Sequence, residues 1–314
     1  MPVRARLLAG NVRAAQPSPV IASGALISRR VVFCTVRISA PPVLREPENV
    51  LFLCRSYRAR ARLELDLAAV EWVSPVGVVA ILAACLRARD RGVAVAVTLP
   101  ADRTARTYLD RIGFYAELER HGWAASGELD IDPEYEVHGR LPVQSLQTAF
   151  DVDQATDRLA DALIGAHVVE GLLSKVMTVA VELTQNAREH GSRCYMVAQT
   201  HSGKTTGRPG IHVAVADFGP GFAATLAMVH GRMPDEEAIV RAFEYGITGT
   251  SDPAKGLGLG YVLDDVDSHG GSELAVVSRR AHVTRVEGKF TTVLREDFRC
   301  TLATAYFPYT PAQR

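Results

Sequence analysis

Three short runs in this 314-residue chain bring together residue types that do chemistry. The first is Glu182-Leu183-Thr184-Gln185-Asn186-Ala187-Arg188-Glu189-His190-Gly191. Leu172, Val176, Val179 and Leu183 recur at helical spacing and predict a helix over Val169 to His190 with one apolar stripe. At about 100° per residue, Glu182, Asn186 and Glu189 fall within about 60° of one another on the adjacent stripe. A carboxylate and an amide therefore share one edge of the core. An asparagine in mid-helix is a weak helix former, and beside a buried stripe it must be hydrogen-bonded or bound to something. Taken alone, this helix favours reading the pair as a surface i,i+4 contact.

The second run, Asp217-Phe218-Gly219-Pro220-Gly221, places a carboxylate at the end of the apolar strand Ile211 to Ala216, followed by two glycines that permit close backbone approach. The third, Lys255-Gly256-Leu257-Gly258-Leu259-Gly260, runs straight into a helix over Leu259 to Ser268. Free backbone N–H groups at a positive helix end suit a polyphosphate. The order is neither G-x-x-x-x-G-K-[ST] nor G-x-G-x-x-G after a strand. No H-E-x-x-H and no G-x-S-x-G occur either, so a zinc hydrolase and a serine hydrolase elbow have no support.

These runs must be positioned by a larger framework, and the pattern predicts two α/β parts. From Arg62 the expected elements are a strand at Leu63 to Leu67, a helix at Val76 to Arg89, a strand at Val93 to Leu99 and a helix at Arg103 to Ile112. A looser stretch from Gly122 to Pro142, with Pro133 and an acidic patch, reads as a boundary. Beyond it come helices at Asp153 to Ala166 and Val169 to His190, and strands at Cys194 to Thr200, Ile211 to Ala216, Glu273 to Ser278, Phe290 to Leu294 and Thr301 to Phe307. Without strict βαβ alternation, the expected second sheet is mixed, with its helices on one side. The parts are a basic extension (1–45), holding the start of a strand at Arg30 to Ile38, a first α/β domain (46–124), a linker (125–145) and a second domain (146–310).

Composition sets the outer limits. With 35 basic against 35 acidic residues, the molecule as a whole has no general attraction for nucleic acid or an anionic bilayer. The longest apolar run, Val76 to Leu86, is shorter than the roughly 20 residues that span a bilayer. No signal-peptide core follows Arg4 and Arg6, so the expected location is cytoplasmic. Five scattered cysteines fit reduced thiols. Only Lys175, Lys204, Lys255 and Lys289 among the basic residues are lysines, a bias of GC-rich coding that suggests a bacterial source.

In this order, Glu-Leu-x-x-Asn-Ala-x-x-His-Gly, Asp-x-Gly-x-Gly, Gly-x-Gly-Leu-Gly and His269-Gly270-Gly271, the second half resembles the GHKL ATP-binding domain of gyrase, sensor histidine kinases and bacterial anti-sigma-factor serine kinases, and looks most like the last branch. The resemblance implies a two-layer α/β sandwich of the Bergerat type that binds ATP and Mg²⁺. By position, Asn186 would ligate Mg²⁺ and Glu182 would activate the attacking water or hydroxyl. Asp217 would accept the adenine amino group, with Gly219 and Gly221 shaping the base pocket. Gly256, Gly258 and Gly260 would cradle phosphate, Phe222 to Lys255 would form a mobile lid, and Thr248, Thr250, Ser251 and Lys255 would contact phosphate. Thr301 stands where the family has Gly-Thr, with Cys300 in the glycine's place. No phospho-accepting histidine helix precedes the domain, which argues against a sensor kinase.

The first half resembles the STAS domain of anti-sigma-factor antagonists, through Leu63-Glu64-Leu65-Asp66-Leu67, Val73-Ser74-Pro75-Val76-Gly77 and Tyr108-Leu109-Asp110-Arg111-Ile112-Gly113-Phe114. Where that family carries Asp-Ser-Ser-Gly, Ser74, Pro75 and Val76 precede Gly77, so the phosphorylated hydroxyl is missing. Ser74 is expected as an N-cap with Pro75 at the first helical position. The implied activity is an ATPase or protein serine/threonine kinase in bacterial signalling, acting on a sigma-factor-like or STAS-like regulatory partner, with a homodimer as a further option. The alternative is a catalytically silent, nucleotide-gated interaction module.

Overall fold

The computed structural model describes residues 35–54, 62–127, 129–132, 134, 139–191, 193–203, 208–250, 256–295 and 297–309. They belong to one compact unit spanning 33–314. It is a mixed α/β structure with one parallel and one antiparallel sheet as its main frame. No helix among the described residues is long and apolar enough to cross a membrane.

The first sheet has four parallel strands: β1 (Thr35–Ser39), β3 (Arg62–Asp66), β5 (Ala94–Thr98) and β6 (Ala124–Ser126). A small parallel pair, β2 (Val43–Leu44) with β4 (Trp72–Val73), and a 3-10 segment (Pro47–Cys54) lie between β1 and the helix α1 (Pro75–Asp90). Helices α2 (Arg103–Arg111) and α3 (Phe114–Arg120) connect β5 to β6 and are separated at Gly113, whose φ of +84° favours glycine. The strand expected at Arg30 to Ile38 is described only from Thr35, and the remainder of the basic extension up to 34 lies outside the described residues. β1 and β2 fall inside the segment read as an extension. Val36 and Ile38 alternate inward beside Leu63 and Leu65, which gives this stretch a place in the core.

The second sheet has seven strands in the order β12-β11-β10-β13-β9-β8-β7: β7 (Arg140–Leu146), β8 (Cys194–His201), β9 (Gly210–Asp217), β10 (Glu273–Ser278), β11 (Ala281–Val286), β12 (Lys289–Leu294) and β13 (Thr301–Pro308). Every neighbouring pair is antiparallel, which corrects the expected mixed sheet. The reason is topological. β9 and β10 run the same way, but β13 returns between them and pairs antiparallel with both. β7 occupies the end of the segment read as a linker, pairing with β8 through a register shift between Leu141 and Gln144.

One face of this sheet is covered by α4 (Ala149–Gly165), α5 (Glu170–Gly191), α7 (Asp235–Ala242) and α8 (Gly258–Asp267), while α6 (Phe222–His230) packs on α7. α4 begins with a capping box between Thr148 and Asp151. The other face is also covered, so the expectation of helices on one side holds only for the second half's own helices. Tyr195, Val197, Ala214, Ala216, Val277 and Leu302 point away from α5 and join the core built around α1. Their strand neighbours Met196, Val213, Val215, Val276 and Ala303 face the other way, the period-two alternation of a sheet buried on both sides. α1 accordingly buries all of its residues except Arg87, Arg89 and Asp90, the pattern of a helix with apolar neighbours all round. Polar pairs close the seam: the Tyr108 hydroxyl donates to Gln199 Oε1 at 2.8 Å, and His121 Nε2 lies 2.8 Å from the Tyr195 hydroxyl.

Ser74 does sit at the N-cap of α1 with Pro75 behind it, but its side chain makes no cap. The hydroxyl instead donates to the Arg45 carbonyl at 2.8 Å, and the residue is fully buried. Gly77 faces Leu44 so closely that a Cβ there would come 2.8 Å from the Leu44 Cβ.

Candidate functional site

A cavity of about 400 Å³ opens between α5, the ends of β9 and β13, α6, the 247–250 loop and the start of α8. It brings together Glu182, Asn186, Asp217, Gly221, Thr248, Thr250, Gly256, Gly258 and Thr301 of the expected residues. Gly219 and Gly260 stand directly behind the lining, whereas Ser251 and Lys255 lie outside the described residues.

Asp217 and Thr301 form the floor, in a row of cross-strand neighbours on the helix-facing side that Cys194 and Ser278 extend to either side. Asp217 is almost completely buried, and its Oδ1 accepts the Gly219 N–H at 2.7 Å. Its Oδ2 has no hydrogen-bond partner among the described residues. Burial pushes this carboxyl up to about 7, against a smaller lowering by the Gly219 N–H. Two glycines allow α5 to end this close to the strand. A Cβ on Gly191 would meet the Asp217 Cβ at 2.5 Å, and one on Gly219 would meet the His190 carbonyl oxygen at 2.5 Å. Gly221, at φ +85°, opens α6 in a conformation that L side chains avoid.

Along the α5 wall, the Asn186 amide group donates to the Glu182 carbonyl at 2.7 Å. That leaves Oδ1 without a hydrogen-bond partner among the described residues. The bland surface pair is thus only half right: the bond goes to backbone, and both side chains line the cavity. Burial raises the Glu182 carboxyl above the usual carboxylate range, and the nearby Glu189 charge raises it further.

The opposite end is the N-terminus of α8, capped by no side chain. Its glycines serve three different contacts rather than one. A Cβ on Gly258 would fall on the Glu182 carboxylate, and one on Gly260 would lie 2.6 Å from the Tyr245 ring. Gly256 needs its φ of +96° and lies against the Ile247 carbonyl. Its own carbonyl accepts the Gly246 N–H at 2.8 Å. The segment expected as a lid contains α6 and α7, and α7 is anchored by buried Ala238, Ile239 and Ala242. Within it, the Thr248 and Thr250 hydroxyls are 3.2 Å apart.

The chemistry of this donor set can be read directly. The lining holds three carboxylates, Glu182, Glu189 and Asp217, and no lysine or arginine among the described residues. A polyanion placed here needs a metal cation beside the helix N-terminus, and the unengaged Asn186 Oδ1 is an oxygen of the type that Mg²⁺ takes. Among the described residues no group of three His, Cys, Asp or Glu side chains could hold a metal by itself. The ion would therefore rest on Asn186 together with oxygens of the ligand and water.

Sequence reasoning missed Ser278, which is buried, lies 3.4 Å from the Thr301 hydroxyl, and accepts from the Phe222 N–H at 3.4 Å. It also missed Leu257 and Tyr261 at the rim. Only strand register places Ser278 beside Thr301, and no local pattern announces it. Compared with known proteins, the chain matches no family model and no curated protein.

Proposed function

We propose that this chain is an ATP- and Mg²⁺-binding regulatory protein of the GHKL class, in which the antiparallel sheet with α4, α5 and α8 is the Bergerat-type sandwich and the first α/β part is STAS-like. One observation carries the reading: a single cavity is lined by both a buried strand-end carboxylate and an uncapped helix N-terminus, with a second carboxylate and an amide oxygen that has no hydrogen-bond partner among the described residues on the α5 wall.

Asp217 offers an acceptor for an exocyclic amino group such as that of adenine, and Thr301 and Ser278 continue the polar row beside it. The α8 N–H groups and dipole suit the phosphates. Asn186 would hold Mg²⁺, which supplies charge neutralisation for the polyphosphate. Glu182 would take the proton of the attacking hydroxyl as that oxygen bonds to the terminal phosphorus and the bond to the ADP oxygen breaks. Its raised pKa brings it closer to the operating pH of a general base. The reading extends to a protein acceptor, sigma-factor-like or STAS-like, in bacterial signalling. Ser74 of the chain's own STAS-like part is unsuited to that role, because it is fully buried on the α1 side of the sheet.

The test is calorimetry with ATP and GTP in the presence of Mg²⁺, followed by phosphate release and label transfer for wild type and Glu182→Ala. Preference for ATP, with affinity kept within a few fold in the variant and turnover lowered on the order of 10²-fold, is expected. Equal affinity for ATP and GTP would overturn the assignment. ATP binding without turnover in the wild type, with a regulatory partner supplied, would favour a silent nucleotide-gated module.

A further inference from the structure

The Gly221 side of the cavity is tied to helix α1 by a turn and a loop that stand behind its lining residues. The turn Arg279–Arg280 joins β10 to β11, and Arg279 is in the left-handed region at φ +56°. Its Cγ and Cδ stand 2.9 and 3.4 Å from where a Cβ on Gly221 would be, so its stem packs on the glycine that opens α6. Beside it the Arg280 N–H donates to Asp235 Oδ2 at 3.2 Å, in the first turn of α7.

Arg295 and the segment 297–300 are zipped to this turn from the other side. The Arg295 N–H donates to the Arg280 carbonyl at 2.7 Å and the Phe298 N–H to the Arg279 carbonyl at 2.9 Å. Arg299 is also left-handed, at φ +52°. Asp297 holds both strained residues: its Oδ2 lies 2.8 Å from Arg299 Nε and 3.5 Å from Arg279 Nη2, and its Oδ1 accepts the Arg299 N–H at 3.0 Å. Between them the Phe298 ring is 2% exposed and plugs the core around α1, and Arg87 of α1 donates to the Phe298 carbonyl at 3.5 Å. Two non-glycine residues in the left-handed region persist only where the surroundings over-determine them.

We infer that Phe298, with the Arg279–Asp297–Arg299 cluster, is a positioning device: docking of α1 onto the sheet fixes the segment 297–300, and that segment, through the Arg279 turn, fixes the Gly221 wall of the cavity. For its consequence on ligand affinity the inference rests on the nucleotide reading, but the positioning itself does not. α1 thereby acts on the base pocket from the far side of the sheet through a packed, hydrogen-bonded chain of neighbours.

Hydrogen exchange of ligand-free full-length protein, measured over 217–225, tests the positioning directly. Phe298→Ala should speed exchange there by about tenfold, as an unpinned wall opens locally. Leu63→Ala, a cavity in the same core on the remote strand β3, should not at matched global stability. Asp297→Asn, which leaves the core intact, should show the same local effect in smaller measure. ATP affinity with Mg²⁺ should weaken about tenfold for Phe298→Ala, a shift within the usual range for residues that couple without touching ligand. Unchanged exchange over 217–225 in both Phe298→Ala and Asp297→Asn, or an equal rise in Leu63→Ala, overturns the inference. Faster exchange in a protein whose wild type binds no ATP upholds the positioning and overturns the nucleotide reading instead.

Discussion

Replacing Asp217 by asparagine should change stability in a way that depends on pH with a definite sign. Burial raises this carboxyl from its ordinary 3.8 to about 7. Between those values the folded protein keeps a proton that the unfolded chain has lost, so stability falls as pH rises through the window. At about 1.4 kcal/mol per unit, the full cost above pH 7 is about 4 kcal/mol, and the part incurred between pH 5 and pH 8 is about 3 kcal/mol. Asparagine does not titrate. It can keep the Gly219 N–H on its oxygen, but its NH₂ replaces an Oδ2 that has no hydrogen-bond partner among the described residues, at a pH-independent cost of about 1–3 kcal/mol. The variant should therefore be close to or below wild type at pH 5 and gain about 3 kcal/mol on it by pH 8. Urea unfolding of both proteins across that range measures the difference, in which the titration of every other group cancels. ATP binding by the wild type should also strengthen about tenfold from pH 6 to pH 8, because an amino donor favours the ionised carboxylate. A stability difference that is flat with pH would refute the reasoning, since it would mean that Asp217 is ionised in the folded protein throughout.

The other expectations follow from single contacts. Gly258→Ala places a methyl on the Glu182 carboxylate and should lower phosphoryl transfer on the order of 10²-fold, with little change in melting temperature because alanine is the better helix former. Asn186→Ala should abolish the Mg²⁺-dependent part of nucleotide affinity and cost less than about 1.5 kcal/mol of stability, the usual worth of the one hydrogen bond removed; a sharp stability loss with intact metal dependence would make Asn186 structural. Ile81→Ala, in the fully buried α1, should cost about 2–5 kcal/mol. Because the two cores share the seven-stranded sheet, unfolding followed by the fluorescence of Trp72 and Trp123, the chain's two tryptophans, should coincide with unfolding followed by circular dichroism.

Much of the second half was legible in the sequence because its signals are local. The stripe Leu172, Val176, Val179, Leu183 gives α5, and the strand that ends in Asp217 is a short apolar run before two glycines. What escaped was decided by distant parts of the chain. β11 is Ala-His-Val-Thr-Arg-Val, too polar to read as a strand until Val276 and Val293 flank it, and its His282 is buried only because the 3-10 segment covers it. α6 and α7 lie in a stretch rich in Gly and Thr, and α7 is helical because Ala238, Ile239 and Ala242 find a core supplied by β10 to β12. The antiparallel pairing could not be read from element order alone, since it depends on the last strand entering between β9 and β10. Ser278 and Phe298 belong to the same class, being placed by register and by a neighbouring unit.

The burial of α1 bears on how the two halves work together. In the resemblance that the sequence suggests, the start of this helix is where a STAS domain carries its phosphorylated serine and meets its kinase. Here that start is closed by Leu44 against Gly77 and by the Ser74 hydroxyl on the Arg45 carbonyl, and the helix lies against β8, β9 and β13. To reach the cavity it would have to leave the sheet and expose Tyr195, Val197, Ala214, Ala216, Val277 and Leu302 together. Exposing each large apolar side chain among these costs about 1.5–3 kcal/mol, so their sum is of the order of a whole domain's stability. The first half is therefore a permanent layer of the fold, and on the proposed function its Ser74 is not a phosphoryl acceptor for the cavity. What α1 retains is its position on the far side of the strands that carry Asp217 and Thr301, so on the inference drawn above a change in its packing acts on the residues that line that end of the cavity.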